Sequence, residues 1–272
     1  MIANFIIAGP PKCGTTSVFE WLSQHSNVCP SILKETNYFI DTVLTTNKNA
    51  NFIDHGISGY ESLFPNYNGE KIVLEATPEY LYSELAIEQF SSFQQPPSIL
   101  FIFRDPTDRL YSEYTFHRYK TGRFKKDFKE FCGHTSEGFS GDKVERGKIV
   151  THINQWVDSY PGHIRVMHFD ILKNSPHIFM KELCDYLEID FSEYQDYSFD
   201  TKNKTTLVKH KAFHKLALRL KKNIPDVISK SLLPLYQTMN QTSIPEPSLD
   251  EKNIISDLKE FYRDETYDRL KL

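Results

Sequence analysis

The segment from Asn4 to Leu22, NFIIAGPPKCGTTSVFEWL, constrains this chain more than any other. An apolar run, Phe5 to Ala8, enters a Gly/Pro/Thr turn, and a helical pattern begins at about Thr15. A strand, a tight loop and a helix in that order make a phosphate-gripping loop. The anion sits on the helix N-terminus, where backbone N–H groups and the helix dipole both favour it. Gly9 and Gly14 have the spacing of a nucleoside-triphosphate loop, G-x-x-x-x-G-K-[ST], but Thr15 stands where the lysine belongs. The lysine comes three residues earlier, at Lys12. Gly14 permits close approach, and the hydroxyls of Thr15, Thr16 and Ser17 add to the amide donors of Cys13 to Ser17. These features suit one phosphate, with Lys12 directed at the group bonded to its far side. A cation there suits a leaving oxygen.

The remaining pattern predicts an α/β fold with a central parallel sheet and helices on both faces. β-like runs at Lys71 to Glu75, Ser98 to Phe103 and Ile164 to Phe169 are each followed by a helical run, the signature of parallel βαβ units. Asp105-Pro106 and Ser175-Pro176 each place a capping residue before a first-turn proline. Ser248-Leu249-Asp250-Glu251 is a capping box opening a late helix. Thr42 to Asn68 and Lys120 to Lys143 have weak periodicity and are expected to wall a substrate cleft.

Thr201 to Pro225 contains no acidic residue, and Phe213, Leu216, Ala217 and Leu220 give it an apolar helical stripe. Its basic face is a solvated face, an anion-binding lip or a contact with an acidic surface.

With 272 residues, 39% of them hydrophobic, the chain is expected to form one domain, 1–272, with a full core. A net charge of −4 argues against non-specific nucleic-acid binding by the whole molecule. Cys13, Cys29, Cys132 and Cys184 form no C-x-x-C pair, so neither a metal site nor a disulfide framework is expected. No apolar run approaches the roughly 18 residues of a membrane span. The first strand begins too early for a signal peptide, and the chain as given is expected to be cytoplasmic.

Three segments in order, PKCGTTSVFEWLSQHSNV followed by KETNYF and then ILFIFRDPTDRLYSEY, resemble the sulfotransferases that use 3′-phosphoadenosine 5′-phosphosulfate (PAPS). The likeness runs to the bacterial and heparan-sulfate-type branches. GYESLFP, LEATPEY and HINQWVDSYP continue it more weakly. The resemblance implies a P-loop-like phosphosulfate-binding loop formed by Pro11, Lys12, Cys13, Gly14, Thr15, Thr16 and Ser17, with Lys12 assisting the leaving oxygen. It further implies that Arg104 and Ser112, eight residues apart, bind the 3′-phosphate. Lys209 is a looser match to a basic residue that grips cofactor phosphate. Glu35, in KETNYF, matches the catalytic glutamate of the heparan-sulfate-type enzymes, and it would serve as base if burial lifts its pKa. His117 is the second candidate base. Ala76 stands where those enzymes often carry a lysine against the acceptor sugar. The implied acceptor is a hydroxyl, from the resemblance a carbohydrate one, and the implied co-substrate is PAPS without metal.

Two other classes compete. A P-loop kinase using ATP and magnesium lacks its lysine after Gly14 and gives Arg104 and Ser112 no role. A non-catalytic polyanion-binding protein would rely on the basic Lys202 to Lys222 region.

Overall fold

The computed structural model describes residues 1–41, 50–200 and 244–272, together with the backbone of 207–208 and 241–242. β1 (Phe5–Gly9) is the middle strand of a five-stranded parallel sheet with β2 (Val28–Pro30), β3 (Ile72–Ala76), β4 (Ser98–Phe103) and β7 (Ile164–His168). The order across the sheet is β2-β3-β1-β4-β7. Ile7 lies opposite Ala76 on one side and Leu100 on the other. A separate hairpin pairs β5 (His134–Thr135) with β6 (Gly138–Phe139).

Strands β1, β3 and β4 are buried on both faces, as their near-continuous apolar sequences require. Alternate side chains therefore feed two cores. Ile6, Val73, Ile99 and Phe101 pack with Ala86 and Phe90 of α3 (Glu84–Ser92) and with Ile149, Ile153 and Trp156 of α7 (Ile149–Ser159). Phe5, Ile7, Leu74, Leu100 and Ile102 pack with Val18 and Trp21 of α1 (Thr15–Leu22) and with Phe179, Leu183 and Leu187 of α9 (Pro176–Leu187). Helices thus cover both faces of the sheet, as the βαβ pattern implied. A third cluster joins α4 (Pro106–Thr115), α5 (Phe128–Phe131) and a last helix, Leu249–Phe261.

The chain leaves β1 into a helix on one face and leaves β3 toward a helix on the other. That divergence opens a crevice at the carboxyl ends of the central strands, the general ligand position in open parallel sheets. α8 (Phe169–Asn174), which follows β7, lies at the same end.

Details depart from expectation. β2 is an added strand, short and ending in proline, within a stretch without strand periodicity. The segment after Thr42 contains α2 (Phe52–Glu61), kinked at Gly56. Asp105 caps α4 through its side chain and Ser248 forms its capping box, whereas the Ser175 side chain makes no cap bond to α9. α6 (Asp142–Glu145) completes the second insertion. Among the described residues no helix is long and apolar enough to cross a membrane. The basic helical stripe at Phe213 to Leu220 and candidate Lys209 lie outside the described residues.

Candidate active site

The loop after β1 is held in a conformation that L side chains rarely adopt. Lys12 has φ 70° and Gly14, the residue before α1, has φ 82°. A Cβ at position 14 would lie 2.4 Å from Cδ2 of Leu172 on α8, so glycine answers both backbone and space there. The Ser17 N–H donates to the Gly14 carbonyl at 2.9 Å, closing the first turn. Amides at the very start of a helix have no intrahelical acceptor, and here they face the crevice end of the sheet. Thr15 and Ser17 are buried, and Pro11, Gly14 and Thr16 are half-buried. The Cys13 thiol is buried, and burial pushes its pKa up to about 12. It contributes its backbone rather than a nucleophile.

Lys12 projects beneath an aromatic lid. Its Nζ lies 3.8 Å from the centre of the Phe116 ring, and Lys120 Nζ lies 5.6 Å from the same ring. Burial, then Lys120 and Arg104, bring the Lys12 pKa down to about 8, against the weaker opposing pull of Glu113 and Cys13. Phe116 opens a π-helical extension of α4, Phe116–Thr121, a local widening of the helix that recurs at functional sites.

Arg104 follows β4 directly. Its Nη1 donates to the Lys12 carbonyl at 2.7 Å, and its guanidinium lies 4.5 Å over the Phe169 ring. Burial holds its pKa below the usual arginine value. Ser112, on α4, is half-buried, and its carbonyl accepts from the Thr115 hydroxyl.

Below this pair, Arg109 on α4 is 1% exposed and donates from Nη1 to Glu113 at 2.9 Å. Glu113 also accepts from Lys143 Nζ at 2.5 Å and lies 3.8 Å from His117 Nε2. Desolvation would raise the Glu113 pKa, but Arg109 and Lys143 outweigh it and hold it low. Burial is the main cause that lowers the His117 pKa. His117, the residue next to Lys12's aromatic partner Phe116, is therefore tied into this charge network.

Glu35 is elsewhere. Its side chain is 53% exposed and pairs with Lys34 Nζ at 2.5 Å, while its N–H donates to the Ala76 carbonyl. The burial expected for a tuned base is absent, because Glu35 sits on a loop at φ 61° that directs it outward from β3. Its contacts run to Lys34 and Ala76 rather than to Lys12.

Phe116, Lys120, Arg109, Glu113 and Lys143 were not singled out from the sequence. The Arg109/Glu113 spacing of i, i+4 was visible as a helical ion pair. Phe116's position over Lys12 is a product of tertiary packing alone.

The sulfotransferase domain family matches residues 3–223, and the chain belongs to that family. It is similar to human bifunctional heparan sulfate N-deacetylase/N-sulfotransferase 3, 24% identical over 204 residues, 69% of this chain and 22% of that protein. It is also similar to human heparan sulfate glucosamine 3-O-sulfotransferase 3B1, 26% identical over 171 residues, 60% of this chain and 40% of that protein. The chain spans less than half the length of either relative. Its fold matches a sulfotransferase from Alicyclobacillus acidocaldarius with a TM-score of 0.62 and 20% identity, covering 88% of this chain and 96% of that one. A kinase reading is not favoured.

Proposed function

We propose that this chain transfers the sulfuryl group of PAPS to a hydroxyl on a carbohydrate acceptor. The observation that carries this reading is the convergence of two half-buried cations, Lys12 and Arg104, on the glycine-cradled loop at the carboxyl ends of β1 and β4. The residues present fit such a donor. Position 14 has no room for a Cβ, the first-turn amides of α1 suit an oxyanion, and an arginine fork suits a terminal phosphate.

The bound donor supplies an activated sulfuryl group joined to a phosphate oxygen. The protein's work is positioning and charge stabilisation, which dominate related group transfers. Lys12 holds a proton on Nζ for the departing oxygen. Cys13 to Ser17 orient the 5′ end through amides and hydroxyls, and Arg104 and Ser112 take the 3′-phosphate, with Lys209 as a further cation. Glu35 receives the acceptor's proton, and its exposure makes acceptor binding the event that desolvates it. His117 is the second candidate, and its link to Glu113 supports a role in charge balance beside Lys12. The carbohydrate acceptor is supported by the heparan sulfate enzymes among the relatives.

The test is a thermal-shift titration with adenosine 3′,5′-bisphosphate beside ADP and ATP, each with and without magnesium. At a hundred times its dissociation constant, the bisphosphate is expected to add about 2.7 kcal/mol without metal. Stabilisation only by ATP with magnesium would overturn the donor assignment. Glu35→Gln is expected to abolish transfer from radiolabelled PAPS and leave bisphosphate binding intact. Equal loss of both would remove Glu35 as base.

A further inference from the structure

Glu75 interrupts the apolar strand Ile72-Val73-Leu74-Glu75-Ala76 and is 0% exposed. A carboxyl in that position is costly unless its oxygens are satisfied. Four hydroxyls satisfy them. Oε1 accepts from Thr36, from Tyr80 at 2.7 Å and from Thr77 at 2.9 Å, and Oε2 accepts from Tyr60 at 2.5 Å. Burial raises the carboxyl's pKa and the hydroxyls oppose the rise.

Three of these hydroxyls are also acceptors. Thr77 Oγ1 accepts from the Asn37 N–H at 3.3 Å, and Tyr80 Oη accepts from the N–H of Tyr38 at 3.1 Å and of Phe39 at 3.4 Å. Thr36 Oγ1 accepts a second contact from the Tyr38 N–H at 3.3 Å. Three successive loop amides are thus suspended from one carboxyl through intervening hydroxyls. On the other side of Glu35, backbone bonds take over: Ser31 N–H to the Leu74 carbonyl and Glu35 N–H to the Ala76 carbonyl, both at 2.8 Å. Glu35 and Asn37 have φ 61° and 51°. Such conformations cost about 1–3 kcal/mol each and persist only where their surroundings enforce them.

We infer that Glu75 is a positioning residue that fixes the direction of Glu35 by gripping the loop 35–39 through Thr36, Thr77 and Tyr80. The inference rests on the reading of Glu35 as base. Glu75 is enclosed, so it acts on the acceptor only through that loop. Thr36 is the decisive link, being adjacent to Glu35 and bonded directly to the carboxyl.

Thr36→Val removes the loop's own hydroxyl while keeping its shape and leaving Glu75 three donors. Thr36→Ser keeps the hydroxyl. Each variant, with Glu35→Gln and the parent protein, is assayed for transfer from radiolabelled PAPS to an unsulfated glucosamine–uronate oligosaccharide and to water. Bisphosphate affinity by calorimetry and amide exchange over 31–39 are measured alongside. Misplacing a catalytic group by about an ångström costs up to about a hundredfold in rate. Thr36→Val is accordingly expected to lose about tenfold or more in kcat, with bisphosphate affinity unchanged and exchange raised at 37–39, and Thr36→Ser to recover the loss. Unchanged transfer in Thr36→Val alongside an inactive Glu35→Gln would overturn the positioning role alone. Parental transfer by Glu35→Gln would overturn the base and the positioning role together. Equal loss of transfer and bisphosphate affinity in Thr36→Val would mean a general structural role and also overturn it.

Discussion

Arg104 donates from Nη1 to the carbonyl of Lys12 at 2.7 Å, so the loops leaving β4 and β1 are bonded to each other at the two strand-end cations. The bond uses one of the guanidinium's five donors. It supports Lys12 at its positive φ, and the stack on Phe169 orients the remaining donors.

Arg104→Lys should be far from conservative. One ammonium cannot both hold the Lys12 carbonyl and fork a phosphate. Losing a charged hydrogen bond of about 2 kcal/mol corresponds to roughly thirtyfold weaker bisphosphate binding. Calorimetry giving an affinity within twofold of the parent would place the phosphate away from Arg104.

Lys12 must carry its proton to assist a departing oxygen. Its free-protein pKa is lowered to about 8, so kcat/KM is expected to fall as pH rises through about 8. Lys12→Arg stays charged and should abolish that limb, whatever its absolute rate; Lys12→Ala should lose turnover at every pH. A pH profile of the parent that is flat from 7 to about 9.5, set against the ordinary lysine value of 10.5, would dissociate Lys12 from the step.

Glu113 balances Arg109 and Lys143. Removing its charge leaves Arg109 buried without its counter-ion, and Glu113→Gln is expected to cost about 3 kcal/mol of stability. The folded pKa lies below the ordinary 4.5, so the stabilisation is complete above that pH and is lost as pH falls through the folded value. Urea melts at pH 7 and at acid pH should show the variant's deficit shrinking in acid. A deficit independent of pH would show that packing rather than charge is lost.

Gly14→Ala meets Leu172 at 2.4 Å and must also hold φ 82°. Weaker bisphosphate binding is expected, with a smaller loss of global stability because the clash falls on a movable leucine end. Gly14→Ala combined with Leu172→Ala should recover part of the binding. No recovery would assign the defect to backbone strain alone.

Much of the fold was legible because its elements are strongly patterned. Ser98 to Phe103 is an unbroken apolar run, and β4 occupies those residues. Asp105-Pro106 marked the start of α4, where the Asp105 side chain accepts from the Asp108 N–H. Val28-Cys29-Pro30 was too short to stand out, and its pairing with β3 depends on a neighbour over forty positions away. The strand-end cations were legible from their places in the two motifs. Glu35's exposure was not, since it follows from loop geometry at positive φ rather than from residue type. Glu75 carried a signal, a lone acid in an apolar strand, but its four hydroxyl partners come from three separate segments of chain.

All four cysteines are free and buried, and burial puts the thiols of Cys13, Cys132 and Cys184 near pKa 12. Thiol reagents attack thiolates, so the native protein should be almost silent to them at neutral pH. Cys13 lies at the loop, Cys29 in β2, Cys132 beside the last helix and Cys184 on the buried face of α9. Each is a built-in clock for the opening of its own region, and an engineered cysteine on exposed Leu33 would report on the Glu35 loop against an unreactive background.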